Sequence, residues 1–256
     1  TSDGAYPTFN FHVAGHGGVL HRVPYAGDHE DPGALASRAA AVGAKLVYLS
    51  NPDNPMGSHH PGADIVAMLD RLPGGTLLVL DEAYVDLAPP GTAAAVAPDD
   101  PRVIRMRTFS KAHGLAGARV GYALAAPPLI AAFERVRNHF GLGRMVQAGA
   151  LAALADAAHL AGVQRQVAAA RAAFGAVAWA QGLRPLPSAT NFLTIDCGGD
   201  GDFARAVLRG LIARDIFVRM PQVAPHDRCI RVSLGPEAAS AAFAAALPGA
   251  LAEARG

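Results

Sequence analysis

Lysine is the scarcest of the common charged residues in this chain. Of 22 basic residues, only Lys45 and Lys111 are lysine; the other twenty are arginine. Cysteine is almost as rare. Cys197 and Cys229 are too few for a disulfide framework or a metal set, and both sit in apolar strand-like text, which favours a reducing compartment. Charged residues make up only 17% of the 256, the formal net charge is +1 and no run of one sign occurs, so neither nucleic acid nor an acidic membrane surface is implied as a partner. Long apolar runs are also missing. The nearest, AGALAALADAAHLAGV, is broken by Asp156 and His159 and is too short to span a bilayer. No secretory leader is visible in a sequence that opens at Thr1, and a cytoplasmic location is the expectation.

What is present is a 51% hydrophobic chain long enough for a sizeable core. Short β-type runs, VLHRVPY, KLVYLSN, TLLVLDEAY, VIRMRTF and VGYALA, fill the first half, with ADIVAMLDRL between two of them at helical spacing. This predicts an α/β unit built on a mostly parallel sheet covered on both faces. From Pro127 to Gln181 the Ala-rich text predicts two or three helices, the last one long. Beyond it NFLTIDC, DFARAVLRGLIARD, IFVRM, CIRVSLG and a final Ala-rich helix predict a smaller α+β unit. The expected division is a large domain over residues 1–155 and a small one over 156–256.

Three apolar runs end in a conspicuous polar group: KLVYLS in NPDNPMG, TLLVL in DEAY, and VIRMRTF in SK. Open parallel sheets bind ligands at their carboxyl edge, so asparagine, aspartate and lysine are expected to meet there. A lysine amine, unlike a guanidinium, loses its proton once burial or nearby cations lower its pKa, and can then join a carbonyl as a Schiff base. Pyridoxal 5'-phosphate is the cofactor attached by such a bond, and its ring nitrogen needs a carboxylate, for which Asp81 is the candidate. Thr108, Ser110 and Arg119 flank Lys111 as candidates for the phosphate.

NPDNPMG, DEAYVDL, TFSKAHGLAGARVGY and CIRVSLG, in this order, resemble the signature blocks of fold type I pyridoxal-phosphate aminotransferases, and are most similar to the histidinol-phosphate aminotransferase branch. The resemblance implies that Lys111 is the Schiff-base lysine and proton carrier and that Asp81 pairs with the pyridinium nitrogen. It gives Asn54 and Tyr84 to the ring hydroxyl, Tyr6 to ring stacking, and Thr108, Ser110 and Arg119 to the phosphate. Arg231 is implied to grip the substrate's acid group, with Arg219 as a second arginine. It further implies an amino donor and a 2-oxo acid such as 2-oxoglutarate as substrates, and a homodimer. Asp53 and Met56 depart from the commoner asparagine and threonine, Met220 departs after Arg219, and the front segment of the family is expected to be absent. A phospho-amino-acid decarboxylase, an aromatic aminotransferase and a non-catalytic cofactor-binding regulator are the alternatives. A nucleotide-dependent oxidoreductase lacks its glycine fingerprint, since Gly15–Gly18 (GHGG) has no strand-then-helix context.

The remaining polar residues have plainer readings. Lys45 is expected to be solvated. Glu82 is expected to be structural, because adjacent strand residues face opposite ways. His59 and His60 read as a loop rather than a metal site, and His113 and His139 carry no assignment.

Overall fold

The computed structural model describes residues 1–256 throughout. Strands β1 (Leu46–Ser50), β2 (Leu77–Asp81) and β3 (Val103–Thr108) lie parallel in that order, and β4 (Gly121–Leu124) runs antiparallel on the β3 edge. Ser50 pairs with Asp81 and Asp81 with Met106, so the carboxyl ends of the three parallel strands share one edge. The mostly parallel sheet expected from the apolar runs is therefore present. Between β3 and β4 the backbones pass closely at Gly121, where a Cβ would lie 2.7 Å from the Arg107 carbonyl oxygen.

Helices α2 (Pro32–Val42) and α3 (Gly62–Arg71) cover this sheet. Local chemistry bounds α2: the Asp31 carboxylate accepts from the Ala34 N–H at 2.9 Å, Pro32 opens the first turn, and Gly43 ends it at φ +62°. Leu35, Ala39, Ile65, Met68 and Leu69 from the helices meet Val47, Leu49, Leu78 and Leu80 from the strands in one buried cluster. Each such leucine or isoleucine contributes about 1.5–3 kcal/mol by leaving water.

Two expected strands do not form. VLHRVPY finds only the Thr1–Asp3 backbone beside it, and the ladder stops at a single bridge between Ser2 and Val23. IFVRM likewise contributes one bridge, Arg219 to Arg231. A helix that no periodicity announced, α1 (Thr8–Gly15), buries none of its residues.

The Ala-rich stretch forms α4 (Pro127–Val136), α5 (Arg144–Ala155) and the 24-residue α6 (Ala157–Ala180). A second, antiparallel sheet follows, made of β5 (Arg184–Pro185), β6 (Phe192–Asp196) and β7 (Cys229–Ser233) in that order and backed by α7 (Gly201–Ile212) and α8 (Glu237–Arg255). Its core holds Phe174 of α6, Ile195, Val207, Leu211, Ile230, Phe243 and Leu247. Helix α6 serves both sheets, because Leu160, Val163 and Val167 pack against Tyr84, Ala112 and Phe192 while Phe174 and Ala178 enter the second core. Asp28 adds a polar tie, accepting from Arg228 Nη2 at 2.7 Å. Cys197 and Cys229 are buried and free; Asp196 pairs with Cys229, so the two thiols occupy opposite faces of the second sheet. No single helix is long and apolar enough to cross a membrane.

Candidate active site

Asp81 ends β2, and two donors fix its carboxylate. The Tyr48 hydroxyl donates to Oδ2 at 2.7 Å and the Ala83 N–H to Oδ1 at 3.0 Å. Burial pushes this carboxyl above its ordinary pKa; the Tyr48 bond, the Ala83 amide and the Lys111 charge pull it back. The Phe9 ring stacks on Tyr48 with centroids 4.8 Å apart. Neither Tyr48 nor Phe9 was singled out from sequence; the available signal was a phenol inside the otherwise apolar KLVYL run. Glu82 points the other way, 2% exposed, and receives Arg105 at 2.9 Å and Arg107 at 2.8 Å, which bears out its structural reading.

Lys111 lies in the turn after β3. That turn is held by Phe109, buried against Val120 and Ala150, and by the Leu115 N–H donating to the Phe109 carbonyl at 2.9 Å. The Lys111 Nζ is half-buried, 5.2 Å from the centre of the Tyr84 ring. Burial above all, then the Arg231 and Arg119 charges, lower its pKa, and Asp81 opposes them. Around it, Thr108 Oγ1 accepts from the Ser110 N–H at 3.1 Å. Arg119 adopts a left-handed backbone, φ 55°, unusual for a bulky residue, and its exposed guanidinium reaches back to the Ala116 carbonyl at 2.6 Å.

Asn54 is buried in the turn that follows β1. Its Nδ2 donates to the Tyr84 hydroxyl at 3.5 Å and its Oδ1 accepts from Arg231 Nη1. Gly57 closes this turn at φ +81°, where a Cβ would meet Ser188 Oγ at 2.9 Å. The second sheet grips the same turn: Thr194 Oγ1 donates to the Pro55 carbonyl at 2.7 Å and the Ala189 N–H to that of Gly57 at 2.8 Å. Burial pushes the Tyr84 phenol up to about 12, so it is a hydroxyl donor at neutral pH.

Arg231 projects from β7 over the Phe192 ring at 4.8 Å. Together with Arg219, Asn54 and Tyr6 it lines a cavity of about 650 Å³. Tyr6 is 45% exposed there and stacks on no other ring. The structure thus joins Lys111, Asp81, Tyr84, Asn54 and Arg231 in one continuous group. Thr108, Ser110 and Arg119 lie on the Lys111 turn, and Tyr6 and Arg219 on the cavity wall. Lys45 is exposed, as expected, and His60 serves its loop, its Nε2–H donating to the Glu30 carbonyl at 2.8 Å. His113 pairs with Asp86 at 3.6 Å.

Residues 1–247 match the family of class I and II aminotransferases. The chain belongs to that family. It is 34% identical over 253 residues to the histidinol-phosphate aminotransferase of Moorella thermoacetica, covering 96% of this chain and 64% of that one. With the enzyme of the same name from Symbiobacterium thermophilum it shares 36% over 238 residues, 93% of this chain and 65% of the relative. The chain therefore spans a little under two thirds of these curated relatives. Among solved structures, histidinol-phosphate aminotransferase from Sinorhizobium meliloti, determined in complex with pyridoxal-5'-phosphate, superposes with a TM-score of 0.96 at 52% identity, over 98% of this chain and 69% of that one.

Proposed function

We propose that this chain carries the site of a pyridoxal-phosphate-dependent aminotransferase acting on an amino donor with an anionic group, of the histidinol-phosphate type, and on 2-oxoglutarate as amino acceptor. One observation carries the reading: Asp81, the last residue of β2, and Lys111, in the turn just past β3, stand at the same carboxyl edge of neighbouring parallel strands. The residues fit the cofactor. Lys111 has a lowered pKa and no ion pair, and Thr108, Ser110 and the exposed Arg119 lie close to it in the chain, on and just beyond the same turn.

When bound, the cofactor supplies an electron-withdrawing ring that stabilises negative charge at the carbon losing its proton. The chain's own residues supply the rest. Lys111 Nζ, its pKa lowered by burial and by the Arg231 charge, would make the covalent attachment and would serve as carrier of the proton lost by the substrate carbon. Asp81 would hold a proton on the ring nitrogen. Asn54 Nδ2 and the Tyr84 hydroxyl, themselves 3.5 Å apart, would hydrogen-bond the ring hydroxyl, and Tyr6 would stack on the ring. Thr108, Ser110 and Arg119 would hold the phosphate, while Arg231 and Arg219 would hold the donor's acid group. A homodimer and a cytoplasmic location accompany this reading by family resemblance.

The test is spectroscopic. Adding the cofactor to the protein should produce a visible absorption band, and borohydride should fix the label on the Lys111 peptide. The band should bleach on adding histidinol phosphate or glutamate. Absence of both band and label in the wild-type protein would overturn the proposal.

A further inference from the structure

Behind Asn54 lie two carboxyl groups that the proposed reaction does not use. Glu30 is 1% exposed and Asp53 2%. Glu30 Oε2 accepts from Ser2 Oγ at 2.5 Å and Oε1 from the Ser50 N–H at 3.0 Å. Asp53 Oδ1 accepts from the Tyr25 hydroxyl at 3.1 Å and Oδ2 from the Met56 N–H at 3.1 Å. Glu30 is anchored to the Ser50 N–H and, through its carbonyl, to the His60 ring, so it packs beneath the same turn that holds Asp53, three residues beyond Ser50. No lysine or arginine forms an ion pair with either. Two ionised carboxylates packed together in such a place would each pay a desolvation cost of several kcal/mol and repel one another, with no lysine or arginine paired to offset it.

We infer that Glu30 and Asp53 share one proton across a buried carboxylic acid–carboxylate hydrogen bond, and that this pair is a positioning device for Asn54. The deduction rests on the proposed cofactor site only for the consequence at Asn54. Asp53 closes the turn containing Asn54: its carboxylate takes the Met56 N–H, its own N–H donates to the Ser58 carbonyl at 2.8 Å, and its carbonyl accepts from Gly57 N–H at 3.2 Å. Glu30, as the acid, reaches Asp53 from the segment ahead of α2 and pins that turn from behind. Asn54 then presents Nδ2 to Tyr84 and Oδ1 to Arg231 from a fixed backbone.

The other titratable groups around the pair do not replace the proton. Tyr25 is held protonated by burial; Tyr48 of β1 and the Thr1 amino group act from a distance, and the His60 ring is engaged by the Glu30 carbonyl. Tyr84 and Arg231 sense Asp53 through space. Burial pushes Asp53 up to about 7 and Glu30 well above its ordinary range. Because the folded pair binds protons more tightly than the unfolded chain, its stabilisation is complete only below the ordinary carboxylate pKa of about 4 and is lost progressively as pH rises from there through 7 and beyond.

The test uses the wild-type chain, Glu30→Gln, Asp53→Asn and Asp53→Ala. Gln mimics the protonated acid. The infrared spectrum of the wild type just above neutral pH should contain a protonated carboxylic acid carbonyl band that disappears in the difference against Glu30→Gln. The wild-type urea midpoint should fall as pH rises above 7, and Glu30→Gln should flatten that slope. Asp53→Ala should weaken pyridoxal phosphate binding about tenfold, the factor carried by about 1.4 kcal/mol, whereas Asp53→Asn, which keeps an acceptor for Met56, should stay near wild type. A wild type lacking the acid band, or slopes identical in wild type and both isosteric variants, overturns the shared proton. Equal cofactor affinity in Asp53→Ala and wild type overturns the positioning role. The infrared and urea readouts need no cofactor, so they judge the proton even if the cofactor reading fails.

Discussion

Arg219 and Arg231 face each other directly across an isolated antiparallel bridge, each backbone N–H donating to the other's carbonyl, at 3.0 and 2.6 Å. Like charges at directly opposed positions destabilise a strand pair unless an anion lies between them. Each guanidinium also lies over an aromatic ring, Phe217 for Arg219 and Phe192 for Arg231. Inorganic phosphate should therefore raise the melting temperature of the wild-type protein and lose that effect in Arg219→Leu. Against a phosphate-bearing donor, Arg219→Leu should raise KM about 10- to 100-fold, the loss of one charged hydrogen bond of about 1.5–3 kcal/mol.

Replacing Lys111 by Ala should remove the visible band and the borohydride-stable label, with transamination falling by about 10²–10⁴-fold or more. Lys111→Arg should restore neither, because a guanidinium stays protonated. Absorption titration and peptide mass mapping check both variants.

The charge of Arg231 lowers the pKa of Lys111. Arg231→Gln should raise it, moving the pH at which cofactor attachment reaches half its maximal rate to a higher value, while Arg231→Lys should not. Attachment requires the neutral amine, so the rate climbs with pH in every variant. Stopped-flow absorbance across a pH series measures the displacement.

Tyr48→Phe removes the strongest influence holding the buried Asp81 carboxyl down. Asp81 should then ionise at a still higher pH, and the acid limb of cofactor binding should move upward with it. The lost bond should also cost about 0.5–1.5 kcal/mol in urea unfolding.

Glu82→Ala leaves the buried Arg105 with no carboxylate partner and the half-buried Arg107 with only Asp86 at 3.8 Å. The expected loss is about 3–5 kcal/mol of stability, because an uncompensated buried charge is costlier than an absent pair. Equilibrium denaturation would expose a smaller effect directly.

Much of the site could be read from the chain because its chemistry stands where apolar runs stop. Asp81 ends β2 and the Lys111 turn follows β3, and strand register brings those two ends to one edge. Strand alternation separated Glu82 from Asp81 correctly. The residues that escaped notice depend on partners distant in sequence. Nothing in KLVYLSN says that the Tyr48 hydroxyl meets Asp81, 33 positions away, and nothing in DHEDP says that Glu30 meets the Ser50 N–H. VLHRVPY and IFVRM have the composition of strands, but a ladder needs a continuous neighbour, and each meets one only at a single bridge. Composition reports the propensity; the neighbour decides the outcome.

The turn from Asp53 to Ser58 is bonded to the second sheet through Pro55 and Gly57 while it carries the asparagine that meets Tyr84 and Arg231. Any sliding of that sheet toward or away from the first must drag Asn54 along. A shift of Arg231 and a shift of Asn54 are thereby geared to one another, a single mechanical stroke rather than two independent adjustments.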